Sequence, residues 1–395
     1  MGFRKWLALC LCVLLLTGCG AEPVPTTILR ESEPTETTTV PTEATTVPPT
    51  TEPEAILEAG LPVYADGDLL ASGTVLSDGV AYMKVHEFLD GLDGAVYSLD
   101  ADGYSLDRLG CRYVFSVEGL YADGADTGLR LLTYQKELWA PVEEICRTLG
   151  ISYLYDEAGQ RMFCTSVGAG WDWERGVKIP ILMYHGVSDD TFGAAELFVR
   201  PSELEAQIEY LLENGYDLIT FEDWGHLQDF DKPVMLTFDD GYRDNYEELF
   251  PILQKHQVKA TIFVITGSVD IHETSLEYMQ VRELAQSGLV SIQSHTYTHP
   301  HLDECDEETL YREHMQSKLM IARMTGYEPF VLCYPYGDRD EASLEVTREH
   351  YRFGLAMNGG LYTTGDDVYE IPRFYVSRYT SLSEFAAMVA QAGRA

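Results

Sequence analysis

Four residues of this chain have the types and the spacing to activate water. Asp239 and Asp240 stand side by side in Thr237-Phe238-Asp239-Asp240-Gly241, at the end of an apolar run. His295 and His299 fall four apart in His295-Thr296-Tyr297-Thr298-His299, a metal-ligand spacing found on one helical turn or tight loop. Two imidazoles and one carboxylate, with coordination positions left open, describe a catalytic site for a divalent metal, most simply Zn²⁺. One aspartate then ligates while the other stays free as a base. A bound metal lowers the pKa of water from about 16 to roughly 7, within reach of a modest carboxylate. Each pair alone says little, because Asp-Asp-Gly is also a common solvated turn. The combination carries the reading.

These groups need elements that bring distant segments together. From Val177 onward the pattern alternates strand, loop and helix. Strands are expected at 178–184, 233–238, 259–265, 290–294, 330–334, 353–357 and 372–376. Helices are expected at 201–212, 243–256, 276–287, 307–325 and 382–390, with Gly288 and Gly326 as stops. In the first helix Ser202 and Glu205 have capping-box spacing, and Leu204, Ile208, Leu211 and Leu212 mark a buried face. Alternating elements of this length form parallel βα units, in a barrel or an open sheet. Polar residues sit at the strand ends: His185, Asp239-Asp240, His295 and Tyr336. A barrel gathers such ends at its C-terminal face. The fold class expected is therefore α/β, a distorted (β/α) barrel, preceded by a smaller β-rich α+β domain.

The N-terminal part divides further. Arg4 and Lys5 precede an apolar stretch from Trp6 to Leu16, shorter than the ~18 residues of a membrane span. Leu16-Thr17-Gly18-Cys19 resembles the lipobox of bacterial lipoproteins. That resemblance implies a signal peptide over 1–18, lipid on Cys19, and a location on the extracellular face of a bacterial membrane. Residues 19–58 are rich in Pro, Thr and Glu, with Val40-Pro41-Thr42-Glu43 echoed by Val47-Pro48-Pro49-Thr50, and read as an extended stalk. Residues 59–165 show short strands broken by Asp-Gly turns, and an internal repeat. Tyr82-Met83-Lys84-Val85-His86-Glu87-Phe88-Leu89 returns as Trp139-Ala140-Pro141-Val142-Glu143-Glu144-Ile145-Cys146, with Leu92 and Leu149 at matching places. This region resembles the copper amine oxidase N-terminal-like domain of bacterial surface proteins, although it has no cluster of copper ligands and His86 is its one histidine. A hinge at 166–176 follows.

Composition sets the limits. Lys plus Arg number 27 against 64 Asp plus Glu, a net charge of −37, which repels phosphate backbones and argues against a nucleic-acid partner. Five cysteines remain beyond Cys19, at 111, 146, 164, 305 and 333, without a Cys-x-x-Cys pair, so a zinc ribbon is not expected. Cys111 could pair with Cys146 or Cys164 in an exported protein.

Residues 177–392 resemble the polysaccharide deacetylase (NodB-homology) family of carbohydrate esterases. Thr237-Phe238-Asp239-Asp240-Gly241 matches its first motif, which implies Asp239 as catalytic base and Asp240 as metal ligand. His295-Thr296-Tyr297-Thr298-His299 matches the second, implying His295 and His299 as the other ligands. Cys333-Tyr334-Pro335-Tyr336-Gly337 matches the end of the third, where the Tyr336 N–H would donate to an oxyanion and its ring would wall the sugar site. The third motif's Arg is missing, with Leu332 and Cys333 in its place, and the fourth and fifth motifs are absent. Instead Ile181-Leu182-Met183-Tyr184-His185-Gly186-Val187 and Ile371-Pro372-Arg373-Phe374-Tyr375-Val376 resemble the branch containing poly-N-acetylglucosamine deacetylases. By that resemblance His185 is the general acid, and Arg373 replaces the missing Arg by pairing with Asp239. The implied activity is metal-dependent removal of N-acetyl groups from an N-acetylhexosamine polysaccharide at the cell surface. Tyr184, Trp224, Tyr242 and Tyr297 are candidates to stack on sugar faces. An O-acetyl esterase on the same scaffold and a non-catalytic wall-binding lipoprotein are the alternatives.

Overall fold

The computed structural model describes residues 57–58, 60–92, 95–100, 103–108, 110–166 and 175–394. The targeting segment, Cys19, nearly all of the 19–58 stretch and most of the hinge lie outside the described residues.

The later part of the chain is built on a parallel sheet. Its strands lie in the order Phe353–Leu355, Val331–Cys333, Val290–Ser294, Ala260–Val264, Pro233–Phe238, Ile181–Tyr184 and Phe374–Tyr375, and every neighbouring pair is parallel. Pro233–Phe238, Ala260–Val264 and Val290–Ser294 are buried along their whole length; the first two read as nearly continuous apolar runs, while the third alternates apolar with buried polar residues. The sheet curls. Leu355 bridges Ile371, and the Ala356 N–H donates to the Ile371 carbonyl (2.8 Å) while the Ile371 N–H donates to that of Gly354 (3.0 Å). The strand at one edge is thereby tied to the segment that leads into the strand at the other.

The two-residue period of a strand sorts its side chains. Leu182, Tyr184, Leu236, Phe238, Ile262, Val264 and Ile292 pack in a core with the surrounding helices. Ile181, Met235, Phe263, Val331, Cys333 and Phe353 fill a second core inside the curl. Along the strand ending at Phe238, the inward face runs Met235, Thr237 and then Asp239. Burial and strand period together aim Asp239 inward.

The helices cover the outside, with three differences from expectation. Pro201–Glu213 begins at Pro201 with Arg200 as an N-cap that makes no side-chain cap, so Ser202 and Glu205 form no capping box; proline at the first position already lacks the donor a cap would satisfy. Leu204, Ile208 and Leu211 are buried as expected, but Leu212 is exposed, one step round the helix from that stripe. The stretch expected as one helix over 243–256 is a π-helical turn, Asn245–Leu249, followed by α-helix Phe250–His256. Pro251 has no N–H for the Glu247 carbonyl, and the widened turn relieves its ring. Glu307–Thr325 matches the expected bounds, with Asp306 capping its start and Gly326 at φ 91° ending it.

The two copies of the repeat are strand–helix units, Val80–Lys84 with Val85–Gly91 and Glu137–Pro141 with Val142–Leu149. Their strands pair antiparallel, Met83 opposite Ala140, and both helices bury their apolar faces in a core that includes Phe88, Leu89, Phe115, Ile145 and Leu149. Strand Arg161–Thr165 and the strand before it lean on the Glu307–Thr325 helix: Leu154 and Phe163 pack on Ala322, and buried Asp156 accepts from Arg323 at 2.8 and 2.5 Å. Cys111, Cys146, Cys164, Cys305 and Cys333 are all free thiols. His86 lies 3.6 Å from Glu137 and joins no cluster of metal-ligating groups among the described residues.

Candidate active site

Asp239 and Asp240 leave their strand in opposite senses. Asp239 continues inward, 2% exposed. Asp240 has φ 74° and Gly241 φ 70°, and this left-handed turn swings the second carboxylate to the same end of the sheet. The segment after Val290–Ser294 turns just as sharply, with Thr296 at φ 65° and His299 at φ 63°. Non-glycine residues in that region are uncommon and concentrate at functional sites.

The turns bring three ligand atoms together. His295 Nε2 lies 3.5 Å from Asp240 Oδ1, His299 Nε2 lies 3.6 Å from it, and the two Nε2 atoms are 3.2 Å apart. A metal with bonds of about 2.0–2.1 Å in tetrahedral geometry separates its ligands by about 3.3 Å. The three edges fit that face, and its fourth corner is free of protein ligands among the described residues. His295 is oriented from behind by Nδ1 against the Cys333 carbonyl, 2.8 Å away, which leaves Nε2 to ligate. Charge balance agrees. Burial opposes a charge on His295, but Cys333 and Asp240 outweigh it and hold its pKa well above the usual imidazole value. His299, partly buried and facing a charged His295, falls to about 4. The trio favours one positive charge at its centre.

Asp239 lies beside this trio, close to His295 and Cys333, in the grip of Arg373. The two guanidinium nitrogens meet its two oxygens at 2.7 and 2.7 Å. Arg373 is itself 1% exposed and also donates to Thr237 Oγ1 (3.1 Å), the Ala356 carbonyl (3.3 Å) and Cys333 Sγ (3.1 Å). Burial alone would raise the Asp239 carboxyl, yet Arg373 holds it well below the usual carboxylate range. The small Cys333 at the position of the missing Arg leaves room for Arg373 to enter from the far edge of the sheet.

His185 follows Ile181–Tyr184 and is 9% exposed. Its ring meets Tyr375 edge-on at 6.1 Å. Burial lowers its pKa, against the pull of Asp239 and Asp240. Two residues that sequence reasoning passed over hold this strand end: Asn245 Nδ2 donates to the His185 carbonyl (3.0 Å), and Asp244 Oδ1 accepts from the Val187 N–H (3.0 Å). Both come from the π-helical turn and its approach, directly after the Asp-Asp-Gly motif. Tyr336 is at φ 59°; its ring is half exposed, stacks on His301 at 4.1 Å and meets His299 edge-on at 4.6 Å. Its N–H makes no hydrogen bond among the described residues. Tyr184 and Trp224 are fully buried, Tyr184 stacked on Phe238 and Trp224 on Phe221, so neither can meet a sugar. Tyr242 and Tyr297 are partly exposed.

Residues 228–352 match the family described as polysaccharide deacetylase. YxkH of Bacillus subtilis (strain 168), whose name assigns it provisionally to polysaccharide deacetylases, is 34% identical over 222 residues, covering 55% of this chain and 77% of that protein. The poly-beta-1,6-N-acetyl-D-glucosamine N-deacetylase of Escherichia coli (strain K12) is 27% identical over 255 residues, 53% of this chain and 38% of that protein. Among solved structures, BC0361, a polysaccharide deacetylase from Bacillus cereus, is similar with a TM-score of 0.51 and 29% identity over 65% of this chain and 82% of that one. The chain belongs to the polysaccharide deacetylase family and is a hydrolase of that type.

Proposed function

We propose that this enzyme removes N-acetyl groups from an N-acetylhexosamine polysaccharide, releasing acetate, with a divalent cation, Zn²⁺, held by Asp240, His295 and His299. The observation that carries the reading is the set of three ligand atoms 3.2–3.6 Å apart beside a second carboxylate that Arg373 keeps out of the set. The E. coli relative, named for poly-beta-1,6-N-acetyl-D-glucosamine, supports the substrate class. A cation held there supplies Lewis acidity to the acyl carbonyl and to water.

The chain's own groups do the rest. Asp239 takes a proton from the attacking water, and the Arg373 fork fixes both oxygens so that one orientation is presented. The Tyr336 N–H, turned outward by its positive φ, donates to the oxyanion that forms on the acyl carbon. His185 hands a proton to the departing amine, a poor leaving group without it. Half-exposed Tyr336 offers its ring as a wall for the sugar. We further infer from Leu16-Thr17-Gly18-Cys19 that Cys19 carries lipid and tethers the enzyme at the outer membrane face; a Cys19→Ser variant that still takes up a fatty-acid label would count against this.

Acetate release from N-acetylglucosamine oligomers and from peptidoglycan tests the reaction. The native protein should release acetate, a chelator should stop it, zinc should restore it, and Asp239→Asn should lose at least ~100-fold. Release that a chelator leaves untouched would overturn the metal reading.

A further inference from the structure

We propose that Glu313 is a positioning residue of the metal centre, one whose carboxylate sets the affinity for the cation by fixing the loop that carries both histidine ligands. This rests on the assignment of His295 and His299 as ligands. Glu313 lies on Glu307–Thr325, behind that loop, and is 1% exposed. Its Oε2 accepts from the Tyr297 N–H (3.1 Å) and the Thr298 N–H (2.7 Å), and its Oε1 accepts from Thr298 Oγ1 (2.8 Å). All three donors belong to the residues between the two ligands.

The loop needs such a hold. Thr296 and His299 sit at φ 65° and 63°, a backbone conformation that non-glycine residues keep only when their surroundings impose it. With the Tyr297 and Thr298 amides pinned to one carboxylate, the backbone can fold over and point both Nε2 atoms at one place. The same helix grips the loop's root, where Ser317 Oγ lies 2.7 Å from Ser294 Oγ. Charge gives a second reason. No basic side chain lies within ion-pair distance of Glu313 among the described residues, so backbone and hydroxyl dipoles alone balance its charge. A buried carboxylate without a counter-ion is costly, and a cation held by the adjoining loop offsets that cost. Removing Glu313 therefore weakens the cation twice, through loop geometry and through lost attraction.

Zinc affinity is measured by competition with a chelating dye on the full chain, alongside Tm of the metal-free protein. Glu313→Gln should weaken zinc binding by about 10–100-fold, the range for partners that orient metal ligands. Thr298→Val removes one donor at an exposed position and keeps the fold; it should weaken zinc binding by a smaller factor, about threefold to tenfold. Thr347→Val, at a buried hydroxyl that bonds to Ser343 and His314 away from the loop, should lower Tm and leave zinc affinity unchanged. If both Glu313→Gln and Thr298→Val bind zinc within twofold of the native protein, Glu313 is a structural residue only and the proposal falls while the metal site stands. A native protein that fails to compete for zinc would overturn both.

Discussion

Replacing Arg373 by Met tests the site at its most buried charge. Methionine matches the length of the arginine stem but supplies no donor. Asp239, 2% exposed, would keep only the Cys333 thiol, 3.6 Å away. Removing one member of a buried ion pair costs about 3–5 kcal/mol, equivalent to about 2–4 pH units of carboxyl titration at 1.36 kcal/mol each. The direction follows from linkage. In the native protein the depressed pKa of Asp239 contributes stability above the unfolded-state value, lost only in strong acid as pH falls through the folded value. In Arg373→Met burial is opposed only by the weaker pull of His295 and His185 and raises the carboxyl, so the penalty grows as pH rises through the unfolded-state value and beyond. Thermal unfolding at pH 5 and pH 8 should therefore show the variant losing more at pH 8. The acid limb of kcat/KM for acetate release should move upward by about 2–4 units, so the loss of activity is greatest on the acid side of the profile. Asp239→Asn combined with Arg373→Met should recover part of the lost stability. If Arg373→Met melts within one degree of the native protein and its pH profile overlays the native one, the ion pair does not govern Asp239 and the reasoning is refuted.

Burial pushes the Asp244 carboxyl up to about 6, and its Oδ2 has no hydrogen-bond partner among the described residues. A carboxyl raised in the fold holds its proton longer than in the unfolded chain, so stability falls as pH rises from about 4 to 6; Asp244→Asn should gain roughly 1.4 kcal/mol at pH 8 relative to pH 5, and an equal difference at both pH values would count against it. Zinc at about 1,000 times its Kd should stabilise the native protein by ~4 kcal/mol and His299→Ala hardly at all; the same upward shift in Tm for both would place the cation elsewhere. His185→Gln should cripple cleavage of an acetamide but spare an activated acetate ester, whose leaving group needs little protonation. Loss to the same degree on both substrates would remove His185 from the role of acid.

What was legible in the sequence follows from where physical patterns are local. The run Val234 to Phe238 announced a buried strand ending at the paired aspartates, but which of the two faces inward was settled by the fold. Gly326 stopped a helix expected at 307–325 that the structure leaves unchanged. The pairing of Arg373 with Asp239, 134 residues apart, was suggested only by the gap at Leu332–Cys333, because nothing periodic links two single polar residues across a sheet. Glu313 and Asp244 gave no signal at all. On a charged helix face a glutamate that turns inward looks the same as one in water, and its partners are backbone amides, which every sequence has. Leu212 and the turn before Pro251 failed for the opposite reason: a local pattern was present, but tertiary packing and a missing N–H decided otherwise.

The Glu307–Thr325 helix is shared between two halves of the chain, and this bears on how the enzyme can be divided. One side holds the ligand loop through Glu313 and Ser317. The other is covered by Leu154 and Phe163 and fastened by Asp156 to Arg323 and by Ser152 to Glu328. A fragment trimmed to begin near Val177 would uncover an apolar strip at Ala322, deprive Arg323 of Asp156 and leave Glu328 with Lys318 but without Ser152. Such a fragment should clump during expression unless Ala322 and its neighbours are recoloured with polar side chains. Deletion boundaries chosen by likeness to shorter relatives would cut through this seam.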